Sequence, residues 1–139
     1  MTRFVLDASV ALGWIADDPP SPYATRVMKR LLDGDRAFVP SLWHLEIANW
    51  FVVALRRKII DDLDSDRCLA ALDDVIAAAV DTESSTFHVR KTLETARRFQ
   101  LSAYDATYLD LSLREGFPLA TLDKSLREAA TKAGVKLLR

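Results

Sequence analysis

Phe4-Val5-Leu6-Asp7-Ala8-Ser9-Val10-Ala11-Leu12 is the stretch that decides how this chain reads. Three β-favouring apolar residues run into an acid, and the residues behind it take up helical spacing. That pattern places a short strand over Arg3–Leu6, a carboxylate at its end, and a helix over Ala8–Ile15 that stops before Asp17-Asp18-Pro19-Pro20. The same order returns near the other end: Leu119–Leu122 reads as a strand, Asp123 follows it, and a helix spans Lys124–Lys132.

Between these two units strands and helices alternate. Pro22 opens a helix with Ala24, Val27, Met28 and Leu31 on one face, and Gly34 ends it. Ala37–Val39 is a second strand. Ser41 is read as the cap of a long helix to about Arg57, apolar nearly all round and therefore deeply buried. Further helices are expected over Ser65–Ala79, Thr86–Phe99 and Ser102–Arg114, with a short strand at Val80–Thr82 and a last one at Val135–Leu138 after Gly134. No Asn-Gly hairpin signal occurs. The expected fold is therefore α/β, with a central, mostly parallel sheet of four or five short strands flanked by helices on both faces, and 1–139 forming one domain.

Composition limits the function. Of 139 residues, 50% are hydrophobic and 28% charged, a soluble globular profile, and the formal net charge is −1. No global basic field attracts nucleic acid, so such contacts must come from local patches, for which Arg56-Arg57-Lys58, Arg90-Lys91 and Arg97-Arg98 are the candidates. The single cysteine, Cys68, lies among Leu69, Ala70, Ala71 and Leu72 and reads as a buried small hydrophobe. A reducing cytoplasm fits it. Asp7 interrupts the apolar N-terminal stretch, which makes a poor signal peptide, and no run is long and apolar enough for a membrane helix.

Four acids stand out against this background. Asp7 and Asp123 each sit between a strand and a helix, and so project from the carboxyl edge of the sheet, where open α/β sheets bind ligands. Asp105 lies in the first turn of its helix, three residues after Ser102, and Glu46 in the second turn of the long helix, three residues before Asn49. Asp7 and Asp123 have a structural alternative as N-caps, and Asp105 as part of a capping box. Glu46 has none. Carboxylates brought together raise one another's pKa unless a cation is present. An oxygen-only donor set without paired His or Cys suits Mg²⁺ or Mn²⁺, ions that activate water against a phosphodiester. Ser9 and Thr121 stand two residues from Asp7 and Asp123 and can add hydroxyl contacts. His44 and His88 lack ligand spacing, and Asp110, five residues beyond Asp105, is read as a surface charge outside the cluster.

Phe4 to Leu12, Glu46 with Asn49, Ser102-Ala103-Tyr104-Asp105-Ala106 and Ala120-Thr121-Leu122-Asp123 together resemble PIN-domain ribonucleases, and among them the VapC toxins of bacterial and archaeal toxin–antitoxin pairs. The resemblance runs nearly end to end. It implies a Mg²⁺- or Mn²⁺-dependent endoribonuclease whose metal is held by Asp7, Glu46, Asp105 and Asp123. It also implies an RNA substrate, a homodimer, and a small VapB-type antitoxin whose tail fills the active-site groove. A phospho-accepting receiver module would instead need an acidic pair after the first strand, where Asp7 stands alone. A non-catalytic binding domain would need every acid to be a cap. A DNA-directed flap nuclease would need an arch or extra domain that this length does not accommodate.

Overall fold

A strand over Arg3–Leu6 (β1) lies inside a four-stranded, wholly parallel sheet in the computed structural model, which describes residues 1–139. It pairs on one side with Arg36–Val39 (β2) and on the other with Leu119–Ala120 (β4), while β2 pairs outward with Val80–Thr82 (β3), giving the order β3-β2-β1-β4. Parallel neighbours require crossovers, and helices supply them. Ala8–Ala16 (α1) and Pro22–Leu32 (α2) join β1 to β2. Ser41–Arg56 (α3) and Asp62–Ala79 (α4) join β2 to β3. Val89–Phe99 (α5) and Ala103–Glu115 (α6) join β3 to β4, and Lys124–Lys132 (α7) follows. With helices against both faces, Phe4, Val5 and Leu6 are all fully buried, which explains the unbroken apolar run of the opening strand.

The core surrounds that strand, with Trp43, Tyr108, Leu109, Leu111, Leu119 and Leu126 completely enclosed. Cys68 is free and only partly buried against this core. Helix α3 departs from expectation. Its buried stripe is narrow, namely Trp43, Ile47, Phe51 and Ala54, while Leu45 and Val52 are exposed. Trp43 and Phe51 are core residues and Trp50 packs partly against it, so the aromatic side chains of this helix are largely satisfied internally. Pro40 occupies the N-cap position in place of Ser41, and no side chain caps the helix.

Two strands are shorter than their sequences suggest. β4 ends at Ala120 because the next amides turn to hydroxyls: Leu122 N–H donates to Ser9 Oγ at 2.9 Å and Asp123 N–H to Thr121 Oγ1 at 3.0 Å. The terminal segment 135–138 makes only a parallel bridge between Leu137 and Leu119. Its first amide is spent closing α7, through Val135 N–H to Ala130 carbonyl at 2.8 Å, with Gly134 in the left-handed region at φ 79°. Helix α5 starts at Val89, three residues later than expected, after an extended His88.

Asp110 corrects its surface assignment. It is 7% exposed, beneath α5, and accepts a 2.6 Å hydrogen bond from Thr95 Oγ1, itself buried. The bond ties α5 to α6. Burial raises the Asp110 pKa, with the Thr95 hydroxyl, Lys91 and Arg114 opposing the shift. Its charged neighbours are those two cations. Thr95→Val, which strips a buried carboxyl of its donor, is expected to lower stability by about 1–3 kcal/mol. Asp110→Asn keeps an acceptor for Thr95 and is expected to melt close to wild type; urea unfolding of both variants checks the pair.

Candidate active site

Asp7 is the fixed point of the site. It is 4% exposed and follows the central strand directly, so the sheet holds its backbone, with Asp7 N–H donating to Ala120 carbonyl at 2.9 Å. Asp7 occupies the N-cap of α1 but makes no capping hydrogen bond with its side chain. Its Oδ2 instead accepts from Ser9 Oγ at 2.6 Å and Thr121 Oγ1 at 2.7 Å. Ser9 and Thr121 thus hold the carboxylate, and the Ser9 hydroxyl also receives Leu122 N–H. The two hydroxyls lower the Asp7 pKa, but burial outweighs them and, with the nearby charge of Asp123, sets it above the ordinary carboxylate range.

Glu46 reaches the same place from α3. It is half-buried, and its Oε1 accepts from the Tyr108 hydroxyl at 2.7 Å. Burial, then Asp7 and Asp105, push its pKa up against the Tyr108 bond. Tyr108 is fully buried, and its own ionisation is strongly disfavoured by burial and by Glu46 and Asp7. Tyr108 was not recognised in sequence. Its signal was a hydroxyl-bearing aromatic three residues beyond Asp105, in a stripe where Leu or Phe would fill the same space.

Asp105 and Asp123 complete the group. Ser102 Oγ caps α6 by accepting Asp105 N–H at 3.1 Å, while the reciprocal bond of a capping box, from Ser102 N–H to the Asp105 carboxylate, is not formed. Burial and the charges of Asp7 and Asp123 raise the Asp105 pKa to about 6. Asp123 does cap α7, Oδ1 accepting Leu126 N–H at 2.8 Å. Asn49 is exposed on α3 and takes no part in these bonds. His44 lies apart, its Nε2 at 2.8 Å from Thr82 Oγ1.

The charge of Asp123 reaches Asp7 and Asp105, and Glu46 feels Asp7 and Asp105, at the carboxyl edge of the sheet. In Asp7, Glu46 and Asp123 one oxygen is anchored by the protein and the other is left for another partner. No three of them stand close enough to grip one ion as placed. Asp7 is fixed, whereas Glu46, Asp105 and Asp123 retain the exposure that side-chain rotation needs. An oxygen-only donor set around a buried carboxylate fits a hard divalent cation chemically.

The sequence model of the PIN domain matches residues 4–132. Among solved structures, the chain is similar to PAE2754 from Pyrobaculum aerophilum, with a TM-score of 0.68 and 20% identity over 92% of this chain and 79% of that one. It is similar also to FitAcB from Neisseria gonorrhoeae, with a TM-score of 0.64 and 12% identity over 98% of this chain and 96% of that one. At these identities the structural likeness speaks for the fold alone. No curated protein matches the chain.

The clustered acids make stability depend on pH in a defined sense. Asp105 titrates at about 6 in the fold and at about 3.9 in an unfolded chain. The folded state therefore holds more protons across that window, and stability falls as pH rises through it. Asp7 and Glu46 shift in the same direction. Metal-free protein is expected to melt lower at pH 7 than at pH 4.5. Asp105→Asn should flatten that slope and raise the melting temperature at pH 7 by roughly 2–4 °C. A metal-free Asp105→Asn protein that melts well below wild type would instead make Asp105 a structural residue.

Proposed function

The chain belongs to the PIN-domain family, whose members are typically metal-dependent nucleases, and from that premise we propose that it is a Mg²⁺- or Mn²⁺-dependent endoribonuclease, the VapC-type toxin of a toxin–antitoxin pair. The observation that carries this reading is the convergence of Asp7, Glu46, Asp105 and Asp123 on one edge of the sheet, each of the first three raised in pKa by the others or by burial. A purely structural role accounts for Asp123, which caps a helix, but not for a buried Asp7 that caps nothing or a Glu46 held by a tyrosine.

In this reading Asp7, Glu46, Asp105 and Asp123 hold the cation. When bound, it supplies charge neutralisation at the phosphodiester and acidifies water for attack. The protein's part is to fix the donors. Ser9 and Thr121 keep Asp7 in a single orientation, and Tyr108 holds one oxygen of Glu46, so the remaining carboxylates would turn toward the cation around a fixed Asp7. The half-buried edge limits water around the carboxylates, which strengthens their hold on a cation.

Beside the acids lies an apolar groove of about 660 Å³ between α5, the start of α6 and Leu42, with Phe87, Val89, Leu93 and Tyr104 on its walls. Val89 and Tyr104 are 86% and 63% exposed, and Tyr104 immediately precedes Asp105. Apolar surface of this extent supports a protein partner. A second copy of the chain and the tail of a VapB-type antitoxin are the partners proposed for this side of the molecule.

Cleavage of total RNA by wild type, Asp7→Asn and Glu46→Gln, with and without EDTA, tests the catalytic claim. Wild type is expected to cut only with Mg²⁺ or Mn²⁺, and each variant to lose about a hundredfold or more, the scale on which one charge-stabilising group is felt at a reacting centre. Undiminished cutting in EDTA, or by both variants, would sink the mechanism. Light scattering at micromolar concentration should give twice the 15.6 kDa of one chain; a mass of one chain rules out the homodimer.

A further inference from the structure

The chain is nearly neutral, yet its cations are not evenly spread. An open groove of about 1050 Å³ runs between α2, α7 and the segment 134–139, and its walls carry Arg26, Arg30, Arg127, Lys136 and Arg139 with no acidic side chain among them. Arg30 alone pairs with a carboxylate, Asp35 at 3.0 Å; Arg26, Arg127, Lys136 and Arg139 make no salt bridge. Two of these groups share one aromatic ring. Tyr23 lies between two guanidinium groups, Arg26 at 5.6 Å and Arg127 at 5.2 Å from its ring centre, and its hydroxyl donates to Leu138 carbonyl at 2.9 Å. Tyr23 thereby ties α2 to the terminal segment and positions both arginines.

The groove runs along the β4 side of the sheet from its amino end, past Thr2 and Pro118, and approaches the acids at Arg127. Arg127 is one helical turn beyond Asp123, and its Nη1 donates to Thr121 carbonyl at 2.8 Å, while Thr121 Oγ1 donates to Asp7. One residue therefore separates the first cation of the groove from the most buried acid. Four carboxylates at one edge repel a polyanion, and a polyanionic substrate needs a cationic path to reach them.

We propose that this groove binds the phosphodiester backbone of the RNA strand flanking the cleaved bond, with Arg26, Arg127 and Lys136 as its principal phosphate contacts. The proposal rests on the ribonuclease reading of the acids. Fixed guanidinium groups suit phosphate oxygens, and contacts of this kind position a strand without reading its sequence.

The test is fluorescence anisotropy with a labelled single-stranded RNA of about twenty nucleotides, long enough to span groove and acids. Binding is read in the Asp7→Asn background in EDTA, so it is decided independently of cleavage. Arg26 and Lys136 are both exposed, so Arg26→Glu with Lys136→Glu should fold normally, which the melting temperature verifies. That pair is expected to weaken RNA binding tenfold or more, and to lower the slope of log K against log salt by about 0.7 for each lost phosphate contact. Reversing Arg56 and Arg57 to Glu, at the far end of α3, should leave affinity within about twofold. Unchanged affinity and slope in the groove pair, or an equal loss in the α3 pair, overturns the proposal. So does displacement of RNA by polyglutamate at equal charge concentration, which would assign the groove to an acidic peptide.

Discussion

A single carboxylate at the end of the central strand constrains everything around it. Asp7 cannot leave its place, because β1 is paired on both sides and its three apolar residues are sealed between helices. Nor does it spend its charge on a helix end, since its side chain caps nothing. A buried carboxyl in that position is costly unless hydroxyls or a cation answer it. Two hydroxyls do so in part, and they come from opposite ends of the chain: Ser9 from the first turn of α1 and Thr121 from just beyond β4.

That answer shapes the neighbouring backbone. Thr121 and Ser9 also receive the amides of Asp123 and Leu122, which stops β4 after two residues and sets the start of α7. The shortness of the strand and the position of Asp123 are thus consequences of how Asp7 is satisfied. On the far side Tyr108 does for Glu46 what the hydroxyls do for Asp7. Each anchored acid keeps one oxygen out of these bonds, and Asp7 is the fixed donor around which the others would arrange.

Two other surfaces give the molecule polarity. The apolar groove at α5 and α6 borders the acids through Tyr104, and the cationic groove at α2 and α7 is linked to them by the hydrogen bond from Arg127 to Thr121. A partner on one side and a charged strand on the other need not compete for the same residues.

Much of this was legible in the sequence for local reasons. β1, α1, α7 and a mostly parallel sheet follow from apolar runs that change period at Asp7 and Asp123, and those two acids mark the carboxyl edge whatever the rest does. Glu46 stood out because an acid in the second turn of an apolar helix has no local excuse. What local pattern could not supply is the partner across the fold. Asp110 looked like a surface charge because its donor, Thr95, belongs to another helix. Tyr108 looked like core because Glu46 lies 62 residues away. The cationic groove is invisible in any window, since its charges come from α2, α7 and the terminal segment and none forms a run. Periodicity is a property of neighbours along the chain and so fixes elements and edges; charge pairing and groove formation depend on distances in space, which only the packed structure sets.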